Sequence, residues 1–160
     1  PSPKTVLTFA GVFQFDTVSS GQYVASHWFA SSDTSKQCFA LLNLATSSLR
    51  FMARFQNNTL SRVNTGSGTT AANTQYVGVG QFKTNHSKGV LNGTDYSDTN
   101  VNSTVNHAST GFALGHNNAN SSTKFNGKLQ EFVVWAQVTA SAAHDRDAIS
   151  QAIADHYGIY

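Results

Sequence analysis

A chain of 160 residues is long enough to bury one core without a disulfide or a metal ion, and the single cysteine, Cys38, excludes an intramolecular disulfide. Charged residues make up only 11% of the chain, so uncharged Ser, Thr and Asn must cover much of the surface. The formal net charge is +2 and the cations are scattered along the sequence, which argues against the basic patch of a nucleic-acid site. No apolar run is long enough for a membrane-spanning helix.

The first two thirds of the chain predict short strands separated by polar turns. The predicted strands are residues 4–15, 23–29, 39–44, 49–55, 75–82 and 89–91. Apolar residues alternate in the first strand, and an extra residue near Gly11 indicates a bulge or bend. In the fourth, Phe51 and its alternate neighbours face one way and Met52 and its alternate neighbours face the other, which predicts one buried face and one wet face.

Polar segments separate and follow these strands. The dipeptide Asn92-Gly93 predicts a tight hairpin turn, because both residues tolerate positive φ. Two further strands are predicted late in the chain, at residues 111–115 and 129–135. The loops and turn-like segments predicted from composition are residues 65–73, 98–109 and 116–124.

The last segment predicts a helix over about residues 142–157. Ser141 is placed to cap it, and Asp145 and Asp147 lie near its positive end, where carboxylates are favoured. Apolar residues recur every four positions, and Gly158 suits the left-handed residue that ends a helix. Short strands followed by one helix indicate an all-β, two-sheet antiparallel sandwich with one short C-terminal helix packed on an edge or end, in a single domain over residues 1–160. The predicted core residues are Phe9, Phe13, Phe39, Phe51, Phe55, Val79, Phe112, Leu114, Phe132 and Val134.

A family resemblance rests on several stretches of the sequence. They are G-F-A-L-G at residues 111–115, F-N-G-K-L-Q-E-F-V-V-W at 125–135, H-Y-G-I at 156–159, V-L-N-G at 90–93 and the first strand at 5–13. These stretches resemble the concanavalin A-like lectin and glucanase superfamily, in the laminin G-like and pentraxin-like form found in bacterial secreted and phage virion proteins. The resemblance implies a jelly-roll sandwich. It does not choose a function, because this fold hosts lectins, adhesion modules, glucanases and structural virion proteins.

Hydrolysis of a glycosidic bond usually requires two carboxyl groups about 5 to 10 Å apart, so the acidic residues indicate whether the chain could be a glycosidase. The chain has one Glu, Glu131, with no acid at the alternate positions of its strand, while Asp95 and Asp98 flank a turn. No H-E-x-x-H or G-x-S-x-G motif is present. The acids are therefore too few and too far apart, and the chain is predicted not to be an enzyme. Glu131 is expected to be a structural hydrogen-bond acceptor near the edge of the sandwich.

Calcium is the one cofactor that the resemblance leaves open, because related domains often bind it on the rim of the sandwich. Its oxygen ligands are expected from Asp33, Asp95 and Asp98, with Asp16 as a further possible donor and Asn117 and Asn118 as neutral helpers. These residues form no recognisable binding loop. The alternative is that they are turn residues whose side chains bond their own backbone.

Sugar recognition needs an aromatic ring and hydrogen-bonding side chains on loops. The candidate ligand-binding residues are Trp28, Tyr76, Tyr96, Asn92, Asn117 and Asn118. The three aromatic residues belong, with Tyr23, to those not obviously committed to the core, although Trp and Tyr pack into sandwich cores routinely.

These observations predict a non-catalytic recognition module that binds a carbohydrate or a cell-surface ligand and belongs to a larger secreted or phage virion protein. Weak binding at one site would be reinforced by repetition on an oligomer. The alternative is a structural virion protein, such as a capsid decoration or tail-fibre domain, whose partner is another protein. Either role places the chain outside the cell or on a virion surface, with no nucleic-acid partner and no insertion into a membrane.

Overall fold

Two five-stranded antiparallel sheets face each other, and one helix follows them near the C-terminus. The computed structural model describes residues 6–27, 39–54, 60–83, 86–98, 112–117, 120–137 and 145–160. Their elements are β1 (Val6–Phe15), β2 (Gln22–His27), β3 (Phe39–Leu44), β4 (Ser48–Arg54), β5 (Leu60–Asn64), β6 (Gln75–Lys83), β7 (His86–Leu91), β8 (Thr94–Asp98), β9 (Phe112–Leu114), β10 (His116–Asn117), β11 (Asn120–Lys124), β12 (Gly127–Gln137) and α1 (Arg146–Tyr157).

The first sheet has the strand order β12-β1-β6-β7-β8, and the second has the order β5-β4-β3-β2-β9. Strands β10 and β11 form a separate two-stranded hairpin. This arrangement confirms the predicted all-β jelly-roll sandwich with one short C-terminal helix. Within the described ranges, no helix is long and apolar enough to cross a membrane.

Strands rich in apolar residues lie where the sequence predicts them, whereas strands with mostly polar residues were not predicted. Strands β5 and β8 were not predicted, and residues 116–124 contain β10 and β11 in place of the expected loop. These segments are rich in Ser, Thr, Asn and Asp, so they lack the apolar alternation that signals a strand. Of the turn-like segment 98–109, only Asp98 is described, and it ends β8.

The alternation in β1 is unbroken, which corrects the predicted extra residue near Gly11. Odd-numbered positions of β1 face the second sheet, and Gly11 is one of them. A Cβ at Gly11 would lie 2.9 Å from Cδ2 of Phe132, so that ring occupies the space. The register shift lies on the neighbouring strand, where Gln130 is the extra residue opposite the step from Val12 to Phe13.

Phenylalanine rings fill the space between the sheets. The ring of Phe9 lies 5.2 Å from that of Phe39 and 5.9 Å from that of Phe82, measured between centroids. Of the predicted core, Phe9, Phe13, Phe39 and Phe51 are buried here, Phe132 packs against them, and Val79 is buried beneath the helix. Phe55 lies outside the described residues.

Three predicted core residues are exposed instead. Phe112 and Leu114 are each 48% exposed and Val134 is 37% exposed. Their strands, β9 and β12, are the outermost strands of the two sheets. An edge strand has a neighbour on one side only, so an inward-pointing side chain there is covered less completely.

The helix packs on the outer face of the first sheet, not on an edge or end as predicted. Val77, Val79 and Val90 form the buried surface beneath it, and Ile149 and Ile153 pack against that surface. The helix begins at Arg146, and Asp145 is its N-cap through bonds from the backbone N–H groups two and three residues ahead. The predicted cap at Ser141 lies outside the described residues. The predicted end is confirmed, because Gly158 is left-handed with φ 62°.

The outer face of the second sheet is less wet than the sequence suggests. Met52 is 4% exposed and Leu42 is 6% exposed, and both pack with Ala40 in a small apolar cluster. The prediction that the Met52 side of β4 faces water is therefore wrong at Met52.

A buried amide holds the turns at one end of the sandwich. The Asn43 side chain is fully buried, donates to the backbone oxygens of Val18, Ser20 and Leu44, and accepts from the Thr70 hydroxyl at 2.7 Å. These four bonds connect the amide to neighbouring backbone and to one side chain. Asn43 therefore has a structural role.

Candidate functional site

A cavity of about 280 Å³ lies between the helix and the hairpin that joins β7 to β8. The first sheet, the β7–β8 turn, the first turns of α1 and the C-terminal residue all contribute to its wall. The lining residues are Val90, Gly93, Asp95, Asp147, Ser150, Gln151 and Tyr160.

The hairpin turn supports the aromatic wall of this cavity. Asn92 and Gly93 have φ of 45° and 76°, as expected for the predicted Asn-Gly turn. A Cβ at Gly93 would lie 3.1 Å from Cε2 of Tyr160, so the glycine lets the tyrosine ring approach the turn. The Tyr160 hydroxyl lies 2.7 Å from the Ser150 hydroxyl, while the residue stays 45% exposed. The result is a fixed, half-exposed ring at the rim.

An ion pair network joins the start of the helix to β8. Arg146 is 7% exposed, and its Nη2 donates to Oδ1 of Asp95 at 2.8 Å and to Oδ1 of Asp147 at 2.6 Å. The two aspartate side chains are 55% and 68% exposed. Each carboxylate therefore keeps acceptor capacity for a ligand at the cavity, while the one buried guanidinium offsets only part of their combined charge.

Two carboxylates thus meet at a cavity, which the sequence analysis did not anticipate. Acids remote in sequence converge because the helix packs on the sheet beside β8. Glycoside hydrolysis needs one carboxylic acid that donates a proton in addition to a carboxylate. Asp95 and Asp147 both accept hydrogen bonds from the buried guanidinium of Arg146. The described residues contain no group of three or more His, Cys, Asp or Glu placed to hold a metal ion.

The remaining acid of interest, Glu131, has the structural role predicted for it. Its Oε2 accepts from the Tyr157 hydroxyl at 3.1 Å, on the outermost strand of the first sheet. Desolvation, followed by this hydrogen bond to a carboxylate, raises the pKa of Tyr157. The pair fastens the last turn of the helix to β12.

Of the predicted ligand-binding residues, three are well described, and none of them lines the cavity. Tyr76 is 5% exposed and lies in the core, with its hydroxyl accepting from the backbone N–H of Ala71 at 2.7 Å. Its ring is therefore committed to the core, contrary to the sequence analysis. Tyr96 is partly buried against the same core. Asn92 uses its side-chain oxygen to accept from the backbone N–H of Val77 at 2.8 Å, which is a structural role.

The predicted calcium donors are only partly described. Asp95 lines the cavity and pairs with Arg146. Asp98 is described only by its backbone, as the last residue of β8. Calcium binding stays a prediction. Trp28, Asp33 and Asn118 lie outside the described residues, and only the backbone of Asn117 is described.

Sequence reasoning missed most of the cavity. Asp147, Ser150 and Gln151 are spaced three and four residues apart, which places them on one face of a helix. That polar stripe was the available signal. Its partner Tyr160 follows the helix and gave no signal of its own, because nothing in the sequence shows that the last residue folds back on the β7–β8 turn.

The sandwich is similar to several solved structures. The native heptameric SAP-like pentraxin from Limulus polyphemus has 12% sequence identity and a TM-score of 0.61, over 93% of this chain and 70% of that one. The fold is a concanavalin A-like jelly roll. The CBM40 module of the Ruminococcus gnavus IT-sialidase, bound to alpha2,3 sialyllactose, has 9% identity and a TM-score of 0.64, over 94% of this chain and 83% of that one.

A third similar structure is the LG4-5 region of the mouse laminin alpha1 chain, with 11% identity and a TM-score of 0.53, over 85% of this chain and 38% of that one. No protein-family model and no curated protein sequence matches the chain. At these identities the similarity concerns the jelly-roll fold, and the residues of the cavity must carry any argument about function.

Proposed function

We propose that this jelly-roll domain is a non-catalytic glycan-binding module and that the sugar binds in the cavity beside the helix. The observation that carries the proposal is the composition of that cavity. One half-exposed tyrosine ring, two carboxylates with free acceptor capacity and one side-chain amide meet around a space of about 280 Å³.

Each of these groups has a counterpart on a sugar. The C–H face of a pyranose packs on an aromatic ring, as Tyr160 offers, and its hydroxyl groups donate to carboxylates such as Asp95 and Asp147. The volume lies just below the roughly 300 Å³ at which small-molecule pockets begin. It therefore suits a single monosaccharide unit of a longer glycan. Affinity for one unit is expected to be weak, with a dissociation constant of about mM to μM.

The fold comparison supports the same class of ligand. The CBM40 module has a similar fold and is bound to sialyllactose in its solved structure. The low charge and the Ser, Thr and Asn content of this chain suit the exterior of a cell or a virion. We therefore place the domain in a larger secreted or virion protein, outside the cell.

A glycan array probed with the whole chain tests the proposal. We expect a consistent set of hits among neutral and acidic oligosaccharides. Tyr160→Ala should weaken the best hit about tenfold, because the stacking surface is lost. Tyr160→Phe should retain most of the binding, because the ring remains and only the hydroxyl bond to Ser150 is removed.

Gln151→Ala gives a second test with a matched control. Gln151 lines the cavity, whereas Gln130 lies at the bulge of β12, where its side chain bonds Gln75. Gln151→Ala should weaken the same hit and Gln130→Ala should not. Equal effects of the two substitutions, or an array without hits, would contradict the proposal.

The absence of catalysis is tested with the same glycans. Incubation with the wild-type chain should release no reducing sugar. Release that disappears in both Asp95→Asn and Asp147→Asn would show that the converging carboxylates hydrolyse the ligand, and would overturn the non-catalytic assignment.

A second candidate function, a structural domain of a virion, is favoured by one observation. Phe112, Leu114 and Val134 expose apolar side chains on the outermost strands of the two sheets, which a protein partner would cover. In that role the chain should associate stably with other virion proteins, and Leu114→Ser should release it. An array without hits together with such association would favour this function over glycan binding.

A further inference from the structure

Three side chains with basic groups share one patch on the outer face of the first sheet. Lys83 and His86 are paired across β6 and β7, and Lys88 lies two positions from His86 on the same face. Directly paired residues in antiparallel strands have Cβ atoms about 5 Å apart. All three side chains are partly exposed. They form a compact patch, which we call the basic patch.

No described carboxylate balances the basic patch. In the described part of the chain, the ion pairs of Asp95 and Asp147 both go to Arg146. Lys83, His86 and Lys88 make no such pair there. Lys83 and Lys88 lie on the same face of the sheet without an ion pair among the described residues, so an anion that occupies the patch is attracted by both.

The surroundings of His86 agree with this description. Desolvation first, and then the positive charges of the two lysines and Arg146, lower the pKa of His86. Among the described residues, the charges that act on the imidazole are those of Lys88 on its own strand, Lys83 on the paired strand and Arg146 on the helix. A bound anion would reverse this effect.

The basic patch lies next to the cavity. Lys88 and Val90 are two positions apart on the same face of β7, and Val90 lines the cavity. Two residues of a strand span about 7 Å. A glycan seated in the cavity therefore brings a charged substituent within reach of Lys88.

We propose that Lys83, His86 and Lys88 form a binding site for an oxyanion, a sulfate or a carboxylate, carried by the glycan that occupies the cavity. The part that concerns the glycan rests on the proposed function, whereas the anion site stands on the basic patch alone. The ligand class is then an acidic glycan with a neutral unit in the cavity.

Protonation of His86 adds a charge to this site. At neutral pH its lowered pKa keeps the imidazole mostly neutral, with Lys83, Lys88 and Arg146 as the facing cations and Asp95 and Asp147 held by Arg146. Binding of an oxyanion should therefore strengthen as the pH falls through the region below about 6.5.

Inorganic sulfate tests the anion site directly. Amide NMR signals of Lys83, His86 and Lys88 should shift saturably with sodium sulfate and not with sodium chloride at equal ionic strength. Lys88→Gln should weaken the sulfate binding about tenfold, while Lys128→Gln, at an exposed lysine of β12, should not change it. Shifts that never saturate, or equal effects of the two substitutions, would overturn the site.

Lactose and lactose sulfate test the link to the glycan. The sulfated sugar should bind about tenfold more tightly than lactose, and Lys88→Gln should remove that preference. Equal affinities of the wild-type chain for the two sugars would overturn the acidic-glycan assignment. Saturable sulfate binding with no binding of any sugar would retain the anion site and remove the glycan module, so the two failures are distinguishable.

Discussion

Replacing Gly89 by alanine should destabilise the domain, because this glycine makes room for an aromatic ring of the core. A Cβ at Gly89 would lie 2.5 Å from Cδ2 and 2.7 Å from Cε2 of Phe51, which is fully buried. Gly80, on the neighbouring strand, faces the same ring, with a Cβ there 3.1 Å from Cδ1 of Phe51. The two glycines therefore leave space on the inner face of the first sheet for the Phe51 ring of the second sheet.

The magnitude follows from two opposing terms. Forcing a methyl group into a packed core costs about 1–3 kcal/mol, because the ring or the backbone must shift. The alanine also lowers the entropy of the unfolded chain, which returns about 0.4–1 kcal/mol. The net loss is about 1–2 kcal/mol, equivalent to about 2–8 °C in Tm for a chain of this size.

Urea unfolding and thermal melting of Gly89→Ala measure this loss. Gly66→Ala is the control, because the nearest atom to its new Cβ is Cγ2 of Thr69 at 3.8 Å. The control should be neutral or slightly more stable. In the Gly89→Ala background, Phe51→Leu should cost less than it does alone, by more than about 0.5 kcal/mol. Equal stabilities of Gly89→Ala and Gly66→Ala would refute the reasoning, as would strictly additive effects in the double mutant.

Three further predictions concern the ion pair network, the buried amide and pH. Arg146→Met should lower the free energy of unfolding, measured in urea, by about 1–2 kcal/mol. This is less than the roughly 3–5 kcal/mol for a wholly buried ion pair, because both aspartate partners are more than half exposed to water. An unchanged free energy of unfolding would contradict a stabilising role of the network. Asn43→Ala should lower the free energy of unfolding by about 1–3 kcal/mol, because buried polar partners lose their hydrogen bonds to the amide. Asn64→Ala removes only an exposed bond to Arg50 and should change the free energy of unfolding by less than about 0.5 kcal/mol. The lowered pKa of His86 means that the folded chain binds fewer protons than the unfolded chain below about pH 6.5, so stability should fall from about pH 7.5 to about pH 5. His86→Gln should lose less stability over that interval, and an equal loss would show that the histidine does not contribute.

Strands whose apolar residues alternate could be predicted from the sequence, because a strand with one buried face has an apolar residue at every second position. Strand β4 is an example, with Leu49, Phe51 and Ala53 in the core, whereas β1 and β3 are buried on both faces and are marked by their apolar content. Strand β8 reads T-D-Y-S-D and carries no such pattern, so its pairing with β7 could be learned only from the fold. The same holds for Phe112 and Val134, whose apolar character suggests burial although their strands lie at the edges of the sheets.

The cavity was largely beyond sequence reasoning because its parts are distant along the chain. The bond between Arg146 and Asp95 spans 51 residues. It depends on the helix packing on the outer face of the first sheet, whereas the sequence predicted a position on an edge or end. Asn92, by contrast, lies beside the cavity as a predicted turn residue, but the turn uses its side chain to hold β6.

The most direct test of the glycan-binding proposal is a map of amide NMR shifts on adding the strongest glycan from the array. We expect saturable shifts at Gly93, Asp95, Gln151 and Tyr160, which surround the cavity, and none at Ala40 and Met52 on the outer face of the second sheet. Saturable shifts confined to the second sheet would contradict the assignment of the cavity as the binding site.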